Sequence, residues 1–275
     1  MRVLRAKSYG FDTPQALAIS GADGFVVNMG ANTVTEFNVS TGALVRVIGG
    51  KSYGFDGPRA LAISGGDALV SNGNSITEFN ITTGALVRVL NARRLGADPL
   101  WEFDISALAI SGNDAFAMNQ SNNTVIEFNV ITGAIVRVIG GASYGFDLSG
   151  AMTISGAEAF VTNIDASSVT EFNVATGALV RVIGGDKYGM DSPRDIAISG
   201  GDAFVTDNNS DSVTEFKVAT GSLVRIIRPR KSGYANPDYV EPFEIAISGR
   251  DAFVMCANAV TEFRTTTGAL VRELQ

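Results

Sequence analysis

The sequence predicts an all-β protein, a six-bladed β-propeller of four-stranded antiparallel blades. Three observations lead to this fold class: one motif recurs six times, apolar residues alternate with period two inside each copy, and glycine-containing turns separate the runs. A unit of four short strands cannot cover both of its apolar faces alone, so six tandem units close most economically into a ring. We therefore expect one domain over residues 1–275. The alternative is an open β-solenoid, which normally needs atypical capping repeats.

The recurring motif combines a glutamate with an arginine ten positions later. It reads VTEFNVSTGALVRVIGG at 34–50 and returns at 76–90, 125–141, 169–185, 213–227 and 260–274. These copies predict blades at approximately 9–50, 53–90, 101–141, 144–185, 188–227 and 239–275. Residues 2–4 repeat the end of the motif, so we expect residues 1–8 to form a redundant edge or a closure segment.

Each blade contains four predicted strands, A to D in chain order. In the fourth copy they fall at 151–155, 158–163, 168–174 and 178–183. A Ser-Gly turn joins A to B, and Ala175-Thr176-Gly177 predicts a three-residue C–D hairpin loop with left-handed Gly177 and a G1 bulge. This register places Glu171 opposite Arg181. The same count predicts a structural cross-strand ion pair in every copy: Glu36–Arg46, Glu78–Arg88, Glu127–Arg137, Glu171–Arg181, Glu215–Arg225 and Glu262–Arg272.

Composition excludes several classes of function. The 21 basic and 28 acidic residues give a net charge of -7, which disfavours nucleic acid and anionic membranes as partners. No apolar run reaches the roughly 20 residues of a membrane helix. The chain has no histidine and one cysteine, Cys256, which excludes intrachain disulfides, Cys/His zinc sites and serine–histidine catalysis. We expect a monomer without an obligatory cofactor, cytoplasmic as given or secreted if a signal segment was removed.

One copy carries a family resemblance. Pro193 followed by DIAISGGDAFVTDNNSDSVTEFKVATGSLVRII resembles NHL-type and YVTN-type propeller repeats, and the resemblance extends over essentially the whole chain. It implies a fold and no single activity, because such propellers include lyases, hydrolases, receptors and binding platforms. Virginiamycin B lyase has a similar repeat, but its activity depends on histidine and magnesium, and this chain has no histidine. Calcium-dependent lactonase-type propellers are a looser resemblance that would imply several converging carboxylates.

The departures from the repeat concentrate on the face formed by the D–A and B–C loops. Two D–A loops, at 90–104 and 228–243, are five residues longer than the others and contain Trp101, Tyr239 and Phe243. Aromatic side chains are frequent ligand anchors, so these three are candidate ligand-binding residues. The alternative is that they pin the long loops to the rim. We expect any functional site on this loop face, skewed toward blades 3, 5 and 6.

Acidic residues replace alanine at the start of two strands A. The aligned position holds alanine in four blades, Asp195 in blade 5 and Glu244 in blade 6, and Arg59 and Arg194 occur at the preceding position. Two neighbouring carboxylates can perform acid–base chemistry or hold Ca²⁺ or Mg²⁺. The alternative is ion pairing with Arg59 or Arg194. Asparagine recurs at the end of strand B, where we expect it to cap the turn. Asp207 takes this place in blade 5 and is a further candidate binding residue. Cys256 takes it in blade 6, where we expect a small buried side chain.

Three functions remain open. The first is a binding scaffold whose loop face and channel mouth hold a small molecule, glycan or peptide. The second is a lyase, hydrolase or cyclase that uses Asp195 and Glu244, with or without a divalent cation. The third is a bare repeat scaffold, recently amplified or engineered. The binding candidates of the first are Trp101, Tyr239, Phe243, Arg59, Arg194 and Asp207.

Overall fold

A computed structural model describes residue 4 and residues 6–91, 104–228, 241–257 and 259–274. The chain divides into two compact units, Met1–Ile139 and Gly140–Gln275. Among the described residues it forms six separate four-stranded antiparallel sheets, each with its strands in chain order. The predicted four-stranded antiparallel blades are confirmed, and the single-domain organisation stays a prediction.

The first unit contains blades 1 to 3. Short helical turns, α1 (Ala6–Tyr9) and the 3-10 turn Lys51–Tyr53, precede the first strands of blades 1 and 2. The strands are β1 (Pro14–Ser20), β2 (Asp23–Asn28), β3 (Thr33–Asn38) and β4 (Leu44–Gly49); β5 (Leu61–Ser64), β6 (Asp67–Ser71), β7 (Ser75–Asn80) and β8 (Leu86–Asn91); β9 (Ile105–Ser111), β10 (Asp114–Asn119), β11 (Thr124–Asn129) and β12 (Ile135–Gly140).

The second unit contains blades 4 to 6. The 3-10 turns Ala142–Tyr144 and Asp186–Tyr188 precede the first strands of blades 4 and 5. The strands are β13 (Ser149–Ser155), β14 (Glu158–Asn163), β15 (Ser168–Asn173) and β16 (Leu179–Gly184); β17 (Pro193–Ser199), β18 (Asp202–Asp207), β19 (Ser212–Lys217) and β20 (Leu223–Ile227); β21 (Glu244–Ser248), β22 (Asp251–Cys256), β23 (Ala259–Arg264) and β24 (Leu270–Leu274).

The C–D loop of blade 4 has four residues, 174–177, instead of the predicted three, because strand C ends one residue earlier, at Asn173. In blade 4 the amide of Gly177 donates to the carbonyl of Asn173, and the amide of Asn173 donates to the carbonyl of Ala178. Gly177 has φ 72°, as a G1 bulge requires. A second register shift, between Glu171 and Phe172 on the β15 side, then restores Glu171 opposite Arg181. The predicted ion pair is correct because two one-residue offsets cancel.

All six predicted glutamate–arginine pairs form. Some of the arginines also donate to a backbone carbonyl of the next blade in their unit: Arg46, Arg88, Arg181 and Arg225. Arg181 Nε lies 2.8 Å from Glu171 Oε2, while its Nη2 donates to the carbonyl of Ala219 in blade 5 at 3.2 Å. In unit 1, Arg46 donates in the same way to Thr82 of blade 2 at 2.8 Å. Burial raises the pKa of Glu171, and the positive charge of Arg181 partly offsets that rise.

Aromatic and aliphatic side chains of strands B and C form the cores between adjacent blades. Phe160 of blade 4 packs against Phe216 of blade 5, and Phe204 of blade 5 packs against Phe263 of blade 6, with ring centroids 6.4 and 6.0 Å apart. All four rings are fully buried. This packing places the strands A of blades 5 and 6 side by side, where most of the described candidate residues lie.

Candidate binding site

A β-bulge presents two of the candidate residues at the start of strand A in blade 5. Pro193 pairs with Asp207 and Ile196 pairs with Val205, so Arg194 and Asp195 together lie opposite Thr206. The Thr206 hydroxyl accepts from the amide of Asp195 and donates to the carbonyl of Phe243 in blade 6, both at 3.0 Å. Bulges re-aim side chains. An equivalent bulge occurs at the start of strand A in blades 1, 3 and 4, so the bulge belongs to the repeat and the side chains on it are what distinguish blade 5.

The carboxylate of Asp195 bridges blades 5 and 6. Its Oδ1 accepts the amide of Ile196 at 2.8 Å, and its Oδ2 accepts the amide of Ile245 at 2.9 Å. Burial raises the pKa of Asp195, while the two amide hydrogen bonds lower it and only partly offset the rise. Asp195 therefore connects strand β17 with strand β21.

Glu244 and Arg194 are the exposed charges of this surface, and Phe243 is partly buried beside them. Loss of water around its carboxyl group raises the pKa of Glu244, and the negative charge of Asp195 raises it further. The structure thus brings Asp195, Glu244, Arg194 and Phe243 together at the start of two adjacent strands. The carboxyl group of Glu244, the guanidinium group of Arg194 and the ring of Phe243 together can contact a polar ligand that also has an apolar part.

Arg59 takes a different partner from the two predicted ones. It belongs to unit 1, where its Nη1 lies 3.2 Å from Oδ1 of Asp104. Both side chains are more than a third exposed, so the pair contributes little to stability. The sequence alignment of the blades missed Asp104 because the residue lies at the end of a longer loop, outside the aligned columns.

Asp207 lies buried at the end of β18. Its Oδ1 accepts the amide of Asp191, and its Oδ2 has no hydrogen-bond partner among the described atoms. Burial raises the pKa of Asp207 to about 6. In blade 4 the equivalent Asn163 donates to the hydroxyl of Thr170 at 2.8 Å, so this position faces strand C rather than acting only as a turn cap. Asp207 is not accessible as a direct ligand contact in this conformation.

Trp101 and Tyr239 lie outside the described residues. Within the described ranges, no three aspartate, glutamate or cysteine side chains come close enough together to hold a metal ion. The carboxyl pair of Asp195 and Glu244 would need ligands from elsewhere to bind Ca²⁺ or Mg²⁺.

Comparison with solved structures decides the fold. The chain resembles a structure of U3-55K with a TM-score of 0.76 over 94% of this chain and 81% of that chain, at 13% identity. It resembles the crystal structure of RRP9 WD40 repeats with a TM-score of 0.75 over 94% and 80%, also at 13% identity. The chain is a six-bladed β-propeller. At this identity the likeness concerns the fold alone, and the NHL- or YVTN-type assignment stays a prediction.

Other comparisons add little to the propeller assignment. No protein-family model matches the chain, and no curated protein matches its sequence. None of the helices in the described parts of the propeller is long and apolar enough to cross a bilayer.

Sequence reasoning missed a tyrosine that recurs in the short D–A loops of the propeller. The signal was present as KSYGFD, ASYGFD and DKYGMD, in which the tyrosine keeps its place. In blade 5, Tyr188 donates its hydroxyl to the carbonyl of Gly221 and accepts the hydroxyl of Thr214 at its own carbonyl. These contacts tie the loop to strands C and D of the blade that follows it.

Proposed function

We propose that this propeller is a binding scaffold whose ligand contacts the start of strand A in blades 5 and 6. The single observation that carries the proposal is the break in repeat symmetry there: alanine in four blades gives way to Asp195 and Glu244, with Arg194 beside them. Groups that serve the ring recur in most copies, whereas the exposed carboxyl group of Glu244 occurs in blade 6 alone at this position. A peptide, glycan or small polar molecule offers the donors and acceptors that these side chains require.

The exposed members of the surface define the contacts. Arg194 can pair with an acidic or carbonyl group, Glu244 can accept from a donor, and Phe243 offers an aromatic edge. Asp195 holds the two strands in register through the amides of Ile196 and Ile245. Arg194 lies on strand β17, Glu244 begins strand β21 and Phe243 directly precedes it, which supports preorganised contacts.

A thermal-shift screen against peptides, glycans, small polar molecules and divalent cations tests this proposal. A ligand at 100 times its dissociation constant stabilises the folded state by about 2.7 kcal/mol, which is visible as a shift of several degrees. The shift is expected to diminish in Arg194→Ala and Glu244→Gln. Lys217→Ala is the matched control, because Lys217 is an exposed, ion-paired residue of the same blade at its other end. Equal ligand shifts in all three variants would contradict the proposed surface.

One observation supports an enzymatic alternative. Loss of water around its carboxyl group and the negative charge of Asp195 both raise the pKa of Glu244, as a general acid requires. If the ligand found in the screen is a substrate, Glu244→Gln should abolish its conversion while leaving its affinity within a few fold. Loss of affinity without any conversion by the wild type supports the scaffold.

A further inference from the structure

Blades 1, 2 and 4 share a directional chain of hydrogen bonds, which we call the relay. In each of them, the side-chain amide of the asparagine that ends strand B donates to a threonine hydroxyl of strand C. That hydroxyl donates in turn to the main-chain carbonyl of a tyrosine in the loop ahead of the blade, so the relay attaches the loop to the blade. The three relays are Asn28–Thr35–Tyr9, Asn72–Thr77–Tyr53 and Asn163–Thr170–Tyr144.

Blade 5 keeps the last two members of the relay and replaces the first. Thr214 donates to the carbonyl of Tyr188, but Asp207 ends β18 where Asn163 ends β14. An asparagine amide always carries hydrogens, whereas a carboxyl group can donate only while it is protonated. Oδ1 of Asp207 accepts the amide of Asp191, and its buried Oδ2 makes no hydrogen bond within the described part of the chain.

The missing donor coincides with a longer hydrogen bond further along the relay. The distance from the threonine oxygen to the tyrosine carbonyl oxygen is 3.0 Å in blade 5, but 2.8 Å in blade 1, 2.6 Å in blade 2 and 2.5 Å in blade 4. Hydrogen bonds in a chain polarise one another, so a hydroxyl that accepts a hydrogen bond becomes a better donor. The longer distance in blade 5 is therefore what a threonine without a donor behind it should show.

The loop ahead of β17 is attached to blade 5 at two points that both involve Asp207. This loop contains the 3-10 turn Asp186–Tyr188. The carbonyl of Tyr188 accepts from Thr214, and three residues later the amide of Asp191 donates to Asp207. Asp207 thus contacts one attachment point directly and can act on the other through the Thr214 hydroxyl.

The surroundings of Asp207 allow it to gain and lose a proton near neutral pH. Burial raises the pKa of Asp207 to about 6, and the negative charge of Asp191 adds to this rise. The amide of Asp191, the hydroxyl of Ser210 and the positive charge of Arg228, at the end of β20, oppose it. Among the described residues, Asp191 and Arg228 are the charged groups that act on Asp207, so its carboxyl group is protonated below about pH 6 and ionised above it.

We propose that the relay of blade 5 is a proton-dependent switch. A proton on Asp207 donates to the hydroxyl of Thr214 and completes the relay to the carbonyl of Tyr188, as asparagine does in blades 1, 2 and 4. Loss of the proton leaves Thr214 without a donor behind it. The loop ahead of β17 is therefore attached more firmly in acid than at neutral pH. The switch does not require the proposed binding surface, although this loop leads into the strand that carries Arg194.

The sequence provides one nuclear magnetic resonance signal for each relay. A tyrosine followed by glycine occurs only at 9–10, 53–54, 144–145 and 188–189. Tyrosine labelled with carbonyl ¹³C and glycine labelled with ¹⁵N therefore give four signals in an HNCO spectrum of the full chain. A carbonyl carbon moves downfield as its hydrogen bond strengthens.

Only the carbonyl signal of Tyr188 should move downfield as the pH falls from 8 to 5, with a midpoint near 6. Asp207→Asn should hold this signal at its low-pH position throughout the titration, because the amide replaces the proton. The signals of Tyr9, Tyr53 and Tyr144 are the internal controls. A stationary Tyr188 signal, or the same movement in all four signals, would overturn the proposal.

Two variants separate the relay from a direct effect of the Asp207 charge. Thr214→Val removes the hydroxyl and leaves Asp207 free to titrate, so the response of Tyr188 should disappear while the other three signals keep their positions. A response that persists in this variant would mean that the charge acts without the relay, and would overturn the proposal. Asn163→Asp places the same carboxyl group in blade 4 and should create a pH response at Tyr144; a pH-independent Tyr144 signal would also overturn it.

Hydrogen–deuterium exchange measures how firmly the loop is attached. Exchange rates, divided by the intrinsic rate at each pH, are compared for residues 186–192 and for the equivalent residues 142–148 of blade 4 in the same sample. Loop 186–192 should open roughly two- to tenfold more readily at pH 8 than at pH 5, relative to loop 142–148, and Asp207→Asn should remove this difference. Equal relative protection at the two pH values would overturn the switch even if the Tyr188 carbonyl signal responds.

Discussion

Replacing Asp207 by asparagine should make the propeller more stable at neutral pH and leave it nearly unchanged in acid. In blade 4, the amide of Asn163 donates to the Thr170 hydroxyl. In blade 5, the Thr214 hydroxyl already donates to the carbonyl of Tyr188 at 3.0 Å, so it can only accept from residue 207. A protonated Asp207 can supply that donor, whereas an ionised Asp207 is left with a buried oxygen that has no partner among the described atoms.

The magnitude follows from the pKa of Asp207, which burial raises from 3.8 to about 6. Each unit corresponds to about 1.4 kcal/mol, so ionisation of Asp207 costs the folded state about 2–3 kcal/mol. Because the folded pKa is above the unfolded one, this stability is fully present below about pH 4 and is lost as the pH rises through 6. Asp207→Asn removes the dependence and should gain about 2–3 kcal/mol over wild type at pH 7–8.

Urea unfolding at pH 4, 5, 6, 7 and 8 measures the free energy of unfolding of both proteins. The difference between variant and wild type isolates residue 207 from the other titrating carboxyl groups. Asn163→Asp is the matched reverse change in blade 4, and it should introduce a loss of stability between pH 4 and 8. Parallel pH profiles for wild type and Asp207→Asn would refute the reasoning.

Three other perturbations address the repeated contacts. Arg181→Met should lower the free energy of unfolding, measured in urea, by about 3–5 kcal/mol, because it leaves the buried Glu171 carboxylate without its partner. Glu171→Gln should lower it by less, and a larger loss for Glu171→Gln than for Arg181→Met would contradict the buried-charge argument. Tyr188→Ala should lower the free energy of unfolding by about 3–5 kcal/mol. Added p-cresol should raise the melting temperature of this variant more than toluene does, because its hydroxyl can donate to the carbonyl of Gly221; equal effects would show that this contact contributes nothing. Lys217→Asn introduces the residue found at this turn in blades 1 to 4, and it should change the free energy of unfolding in urea by less than about 1 kcal/mol. A larger loss would show that the exposed ion pair of Lys217 with Asp202 contributes more than expected.

Contacts that depend on local spacing could be predicted from the sequence. The glutamate–arginine pairs follow from the distance between two residues of one hairpin, and all six form. The hairpin itself begins one residue earlier than expected because the Asn173 side chain accepts from the amide and hydroxyl of Thr176, each at 3.0 Å. Asparagine at this position thus belongs to the turn, and a second irregularity in the strand corrects the register.

Contacts between blades could not be predicted in the same way. The partners of Asp195 include the amide of Ile245, fifty residues later, and a backbone donor has no signature in the sequence. Likewise Arg59 pairs with Asp104, which lies in the next blade of its unit. The alignment of copies shows that a position is unusual, but it does not show which backbone group or loop residue from the neighbouring blade satisfies it.

The replacement of asparagine by Cys256 in blade 6 alters a chain of hydrogen bonds. In blade 4 the chain is directional: Asn163 donates to Thr170, and Thr170 donates to the carbonyl of Tyr144. In blade 6 the threonine remains as Thr261, and its hydroxyl lies 3.8 Å from the sulfur of Cys256. Because sulfur is a weaker hydrogen-bonding group than an amide, Cys256 directs this hydroxyl less firmly than the asparagine of blade 4 directs Thr170. The alignment of the copies identifies the exchange, but only the contact with the threonine shows that the exchange changes a hydrogen-bond chain as well as the packing.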